Sequence, residues 1–133
     1  MYLIIIGAGE VSKQLVSVAK EKRHKVAVIE KEVDRARKIM QEFDVSIFHA
    51  DIARANILEE ADASRADAII ATTKDDSINL MAMVLGKQHG VKNLITLLQE
   101  QEHQAMFEKL GIQVLSDPEK LIAQKLYSFI DLE

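Results

Sequence analysis

The chain contains no cysteine and no tryptophan, and only one proline and five glycines in 133 residues. Without cysteine there are no disulfides, no thiolate metal sites and no cysteine nucleophile, a usage that suits an intracellular protein. So little Pro and Gly leaves no linker-like stretch at which to divide the chain. Its length is that of one domain at ~100–200 residues each, so a single domain over 1–133 is expected. That leaves no room for a cofactor domain plus a separate substrate domain, which counts against a free-standing dehydrogenase. Neither sign of charge dominates: 17 Lys and Arg stand against 21 Asp and Glu, a net charge of -4. No global basic field therefore draws in nucleic acid or anionic lipid. Aromatic residues are 5% of the chain and form no stacking surface interleaved with basic residues, so single-strand nucleic acid binding has no support. The opening apolar run, Tyr2–Ile6, is far shorter than the ~20 residues of a membrane span and lacks the basic flank of a signal peptide. Direct membrane insertion is not expected. What is present, 48% apolar and 29% charged residues, is the composition of a chain with a packed core.

Short β-branched runs alternate with longer stretches of helical period, the pattern of repeated strand–helix units around a parallel sheet. The expected strands are Tyr2–Ile6, Lys25–Ile29, Ser46–His49, Ala68–Thr72, Asn93–Leu98 and Gln113–Leu115. Most are apolar nearly throughout, as strands covered by helices on both faces should be. The expected helices are Val11–Lys22, Val33–Phe43, Ala53–Ala61, Asp75–His89, Gln101–Leu110 and Pro118–Ile130. The last opens with Ser116-Asp117-Pro118-Glu119, a polar cap followed by Pro and an acid in the first turn.

Directly after the first strand comes Gly7-Ala8-Gly9-Glu10-Val11-Ser12, a GxGxx turn leading into a helix, with Ser12 where a third small residue is usual. Gly7 permits the tight turn, Gly9 lets a pyrophosphate approach the backbone, and the helix N-terminus offers unpaired N–H groups and positive dipole. Glu30 closes the second strand 21 residues beyond Gly9, where a carboxylate can accept hydrogen bonds from ribose hydroxyls. Its charge disfavours a 2′-phosphate, and hence NADP. The bland reading of the same residues is a strand–helix turn and a solvated strand-end acid.

Further along stand Arg35, His49-Ala50-Asp51, Arg65-Ala66-Asp67 leading to Thr72-Thr73, then Asp75, Asp76 and Asn79, and finally Phe107–Ile112 with Ser116–Glu119. Together with the glycine turn and Glu30, these residues resemble the N-terminal nucleotide-binding domain of potassium-transport regulators, the RCK, KTN or TrkA-N family. The likeness covers almost the whole chain. It implies an α/β, Rossmann-like, doubly wound sheet of six parallel strands in the order 3-2-1-4-5-6, with helices on both faces. It also implies that Gly7, Ala8, Gly9 and the backbone of Glu10 and Val11 hold phosphates while Glu30 holds the ribose. Asp51 and Ile52 would flank an adenine with Lys31 and Arg35 nearby, and Thr72 and Thr73 would line the cleft. For some of these the residues leave an alternative open: Arg35 pairing with acids of its own helix, Asp51 capping the helix that follows it, Thr72-Thr73 ending a strand and starting a loop. Three positions depart from the family pattern. Glu10 and Leu97 stand where many relatives carry Arg, which lowers the positive charge and weakens a triphosphate most, and Ser12 adds bulk at the helix–strand contact.

NAD(H), ATP, ADP and AMP are the cofactors this implies. No catalytic residue is expected, because hydride transfer needs an acid or base against the nicotinamide and none is evident. No metal site is expected: His24, His49, His89 and His103 lie singly, and Asp75-Asp76 suit a helix start through its dipole. The fourth helix, Ile78–Leu85, is apolar almost all round, and Leu121, Ile122, Leu126, Phe129 and Ile130 give the last helix a broad apolar face. Such faces mark contacts, and the resemblance implies a homodimer or larger ring acting on a membrane potassium channel or transporter from the cytoplasmic side. The expected function is thus a non-catalytic, nucleotide-sensing regulatory subunit. The alternatives are an NAD-dependent oxidoreductase or its isolated cofactor half, and an assembly subunit with a degenerate site.

Overall fold

In the computed structural model, which describes residues 1–54 and 56–131, six strands form one sheet. They are β1 (Tyr2–Ile6), β2 (Lys25–Glu30), β3 (Ser46–His49), β4 (Ala68–Ala71), β5 (Asn93–Leu98) and β6 (Gln113–Ser116). All are parallel and ordered β3-β2-β1-β4-β5-β6, as expected. Six helices connect or follow them: α1 (Glu10–Glu21), α2 (Val33–Glu42), α3 (Ile57–Glu60), α4 (Asp76–Gln88), α5 (Gln104–Lys109) and α6 (Pro118–Ser128).

Strand β1 lies at the centre, with Ile4 opposite Ala27 of β2 on one side and Ile69 of β4 on the other. Side chains alternate across a strand, so β1 feeds two cores. Ile4 and Ile6 join Ala82 and Met83 of α4 and Phe107 of α5. Leu3 and Ile5 join Val16 and Ala19 of α1 and Ile39 of α2 on the opposite face. Burial on both faces explains why β1 and β2 read as unbroken apolar runs.

The segment expected as a helix from Ala53 to Ala61 is only partly one, and Ala55 lies outside the described residues. The Asp51 side chain accepts a hydrogen bond from the Ala53 amide at 2.9 Å, and Asn56 adopts the left-handed conformation, φ 69°. Those two features hold residues 52–54 and Asn56 out of the helix, which begins at Ile57. The start of α6 matches expectation, with the Asp117 side chain accepting from the Lys120 amide and Pro118 in the first turn. No helix among the described residues is long and apolar enough to cross a membrane.

Because the sheet is parallel, the segments after β1, β2, β3 and β4 emerge along one edge. Strand order reverses between β1 and β4, and a crevice opens at such a switch point.

Candidate functional site

A cavity of about 760 Å³ occupies that crevice. All twelve residues singled out in the sequence line it: the turn Gly7-Ala8-Gly9-Glu10-Val11, Glu30 and Lys31 after β2, Arg35 on α2, Asp51 and Ile52 after β3, and Thr72 and Thr73 after β4. Residues from five segments of the chain thus converge on one opening.

The two glycines do different work. Gly7 has φ 107°, and a Cβ there would lie 2.9 Å from Thr72 Oγ1 and 3.2 Å from Thr73 Cγ2. It therefore brings β1 and the loop after β4 together at the switch point. Gly9 has an ordinary φ of -81°, and a Cβ there would meet nothing within 4 Å. Space stands open above its backbone, at the N-terminus of α1. No side chain caps that helix, so its first amides keep their donors for whatever enters the cavity.

Ser12 is not the obstruction its bulk suggests. It is fully buried, and its hydroxyl donates to the Gly7 carbonyl at 2.5 Å, closing the turn on itself. Glu30 is 6% exposed, which rules out a solvated strand-end acid. Its Oε1 accepts from the Ala8 amide and its Oε2 from the Glu32 amide, both at 2.9 Å. The carboxylate thus ties the glycine turn to the start of α2, and each oxygen keeps a lone pair for a further donor.

Asp51 does not cap the following helix, which begins at Ile57; it makes the local turn described above and also lines the cavity. Arg35 does likewise: its Nε lies 3.4 Å from Glu32 Oε2 in an exposed pair on the cavity wall. The Lys31 carbonyl is met by His49 Nε2 at 3.0 Å. Thr72 Oγ1 donates to the Ile6 carbonyl at 3.0 Å, and Thr73 Oγ1 donates to Asn79 Oδ1 at 2.6 Å. Leu97 lies in β5, away from the cavity lining.

Three cations of the cavity escaped the sequence reading: Lys13, Lys38 and Lys74. Lys13 and Lys38 stand one helical turn beyond Glu10 and Arg35, so helical spacing alone places them on the same faces. Lys13 pairs with Glu42 at 3.0 Å, and that carboxylate holds its ammonium above the usual lysine value. Lys74 directly follows Thr73 and also lines a second cavity of about 510 Å³ over α4, α5 and the end of β5. Among the described residues no group of three His, Asp or Glu is placed to hold a metal ion.

The chain matches the TrkA-N domain family over residues 3–118. It is 29% identical over 130 residues to a Trk system potassium uptake protein TrkA homolog from Methanothermobacter thermautotrophicus, covering 98% of this chain and 60% of that protein. The chain thus spans less than two thirds of that relative's length. Among solved structures, the TrkA-N domain of the inner membrane protein ybaL from Escherichia coli superposes with a TM-score of 0.84 at 16% identity, covering 97% of this chain and 96% of that one. The GsuK channel, solved with NAD and with ADP, gives a TM-score of 0.75 at 18% identity over 86% of this chain. Those superposed chains are covered to 21% and 31% respectively. Sequence match, strand order and glycine turn agree: the chain belongs to the TrkA-N domain family.

Proposed function

We propose that this chain is a non-catalytic domain that senses an adenine nucleotide, assembles with copies of itself and controls potassium flux through a membrane partner from the cytoplasmic side. The observation that carries the nucleotide reading is the uncapped N-terminus of α1, opening on clear space above Gly9 with Glu30 anchored beside it. Phosphates suit the amides and dipole of such a terminus, and ribose hydroxyls suit the free lone pairs of Glu30. Ile52 and Asp51 at the far wall suit an adenine. The buried Glu30 charge opposes a 2′-phosphate, and Glu10 opposes the added charge of a triphosphate.

Potassium comes from the relatives' names, and the NAD and ADP of the GsuK structures support an adenine nucleotide here. A bound nucleotide would bridge the β1 turn, the end of β2 and the loop after β4, favouring whichever assembly geometry holds them closest. That bias, not turnover, is the output.

The test is calorimetric titration with NAD, NADH, NADP, ATP, ADP and AMP, repeated on Gly9→Asp. An added side chain at Gly9 has room, so this variant folds while placing a carboxylate in the phosphate approach. Binding of an adenine nucleotide that lacks a 2′-phosphate, abolished by the substitution, supports the reading. A blank panel favours the second reading, an assembly subunit whose site Glu10 has dismantled.

A further inference from the structure

Helices α1, α4 and α5 end in the same turn, and one of the three is built differently. After α4 the Gly90 amide donates to the Lys87 carbonyl at 3.0 Å and the Val91 amide to the Gly86 carbonyl at 3.1 Å, with Gly90 left-handed at φ 79°. After α5 the Gly111 and Ile112 amides donate in the same way to Glu108 and Phe107, with Gly111 at φ 81°. After α1 the Arg23 amide donates to Lys20 at 2.9 Å and the His24 amide to Ala19 at 3.0 Å, but the left-handed residue is Arg23, φ 63°. A side chain in that conformation carries a backbone strain that glycine avoids. Glycine would serve this turn better, so the turn does not account for the arginine.

Its surroundings do. Lys20-Glu21-Lys22-Arg23-His24-Lys25 sets four Lys and Arg against one acid, in a chain of net charge -4. Lys22, Arg23 and Lys25 are exposed, and among the described residues no carboxylate lies within ion-pair distance of them. The dipole of α1 explains Lys20 in its last turn, whereas Arg23 and Lys25 lie beyond the helix. Lys25 opens β2 opposite Tyr2, and its amide donates to the Met1 carbonyl at 2.9 Å, which holds Met1, 66% exposed, beside the cations. The Asp67 carboxylate on this edge is taken up by the Tyr2 amide at 2.8 Å. The basic stretch thus lies where the strands start, at the end of the sheet opposite the cavity.

We propose that this edge docks on an anionic phospholipid bilayer through Lys22, Arg23 and Lys25. From the proposed function it takes only a place of action at a membrane. An acidic leaflet attracts exposed Lys and Arg one by one, without fixed positions to match, and unpaired flexible side chains around an apolar Met1 suit that surface better than a folded acidic partner. Contact is peripheral, and it leaves the cavity facing away from the membrane, open to solution.

The experiment is co-sedimentation of the whole chain with vesicles of phosphatidylcholine alone, or of phosphatidylcholine and phosphatidylglycerol in equal parts. Wild type binds the anionic vesicles and not the neutral ones, and added salt releases it. Arg23→Gly relieves the left-handed strain, so its Tm equals or exceeds that of the wild type. Its affinity for anionic vesicles nonetheless falls about fivefold, the share of one basic residue near an acidic surface. Arg23→Lys keeps the charge and stays within about twofold of the wild type. Lys22→Gln combined with Lys25→Gln weakens binding about twentyfold. Absence of wild-type binding to the anionic vesicles overturns the proposal, as does equal binding to neutral ones or an unchanged affinity in Arg23→Gly. Capture by a poly-glutamate peptide without binding to either vesicle overturns it in favour of an acidic protein partner. The nucleotide reading is decided separately, by the titration.

Discussion

Gly7 and Gly9 have different roles in the motif, and the structure makes the first a requirement of the fold while the proposed nucleotide would need the second. At Gly7 any side chain meets both a positive φ and the two threonines after β4. Gly7→Ala should therefore lose on the order of 1–3 kcal/mol of stability, seen as a fall of several degrees in Tm by calorimetry. Gly9→Ala meets neither penalty; its Tm should stay within about a degree, as for changes away from strained or packed features. Its nucleotide affinity should drop about tenfold, because the methyl stands where phosphate approaches the amides. Equal stability losses in the two variants would refute this division. Ser12 shows what a motif conceals. From the sequence it is a departure with excess bulk; in the fold its hydroxyl supplies the Gly7 carbonyl with a partner inside the protein. Ser12→Ala leaves that buried acceptor unmet and should destabilise by about 1–3 kcal/mol, measured by urea unfolding.

Among the elements, strands and long helices were legible because their periodicity is local. The apolar runs of β1 and β2, the acidic Asp75-Asp76 start of α4 and the Asp117-Pro118 start of α6 each need only a few neighbouring residues to recognise. The stretch after β3 was not legible. A helical apolar spacing there competes with an Asp51 side-chain turn and a left-handed Asn56, and the local hydrogen bond prevails. Contacts between distant segments were equally hidden, Asn79 to Leu97 and Glu30 to Ala8 among them. So the residues of the site could be named while the bonds that shape it could not. The entry to β1 carries a testable case. The Tyr2 hydroxyl donates to the Ala61 carbonyl, and burial first, then the Asp62 carboxylate, raises its phenol above 10.0. Unfolded tyrosine ionises near 10, so above that pH the unfolded chain holds fewer protons than the folded one and stability falls. Urea unfolding at about pH 8 and about pH 10.5 should show that fall in the wild type. Tyr2→Phe should lose about 1 kcal/mol at the lower pH, from the missing hydrogen bond, and show a smaller further loss at the higher. An unchanged pH response in the variant would assign the alkaline loss to another group.

At the scale of the whole molecule, a parallel sheet gives the chain two unlike ends, and the cavity lies at only one of them. The strand C-termini gather the glycine turn, Glu30, Asp51 and Thr72–Thr73 on that edge. Around this core the apolar surface is unevenly distributed. Helix α6 has no buried residue, and Ile122, Leu126 and Phe129 are 60%, 62% and 70% exposed beyond the last strand. Met81 and Val84 of α4 are exposed as well. These side chains lie outside the two core clusters, so the apolar area they leave exposed is gained by burial against a partner. The assembly reading makes that partner a second copy. Sedimentation equilibrium should then give a mass of two chains or more for the wild type. Leu126→Glu should shift it toward one chain while leaving thermal stability at low concentration within about 0.5 kcal/mol, as befits a surface change. A wild-type mass of one chain at every concentration would mean that α6 is covered by something other than its own copy, and self-assembly would have to be withdrawn from the proposed function.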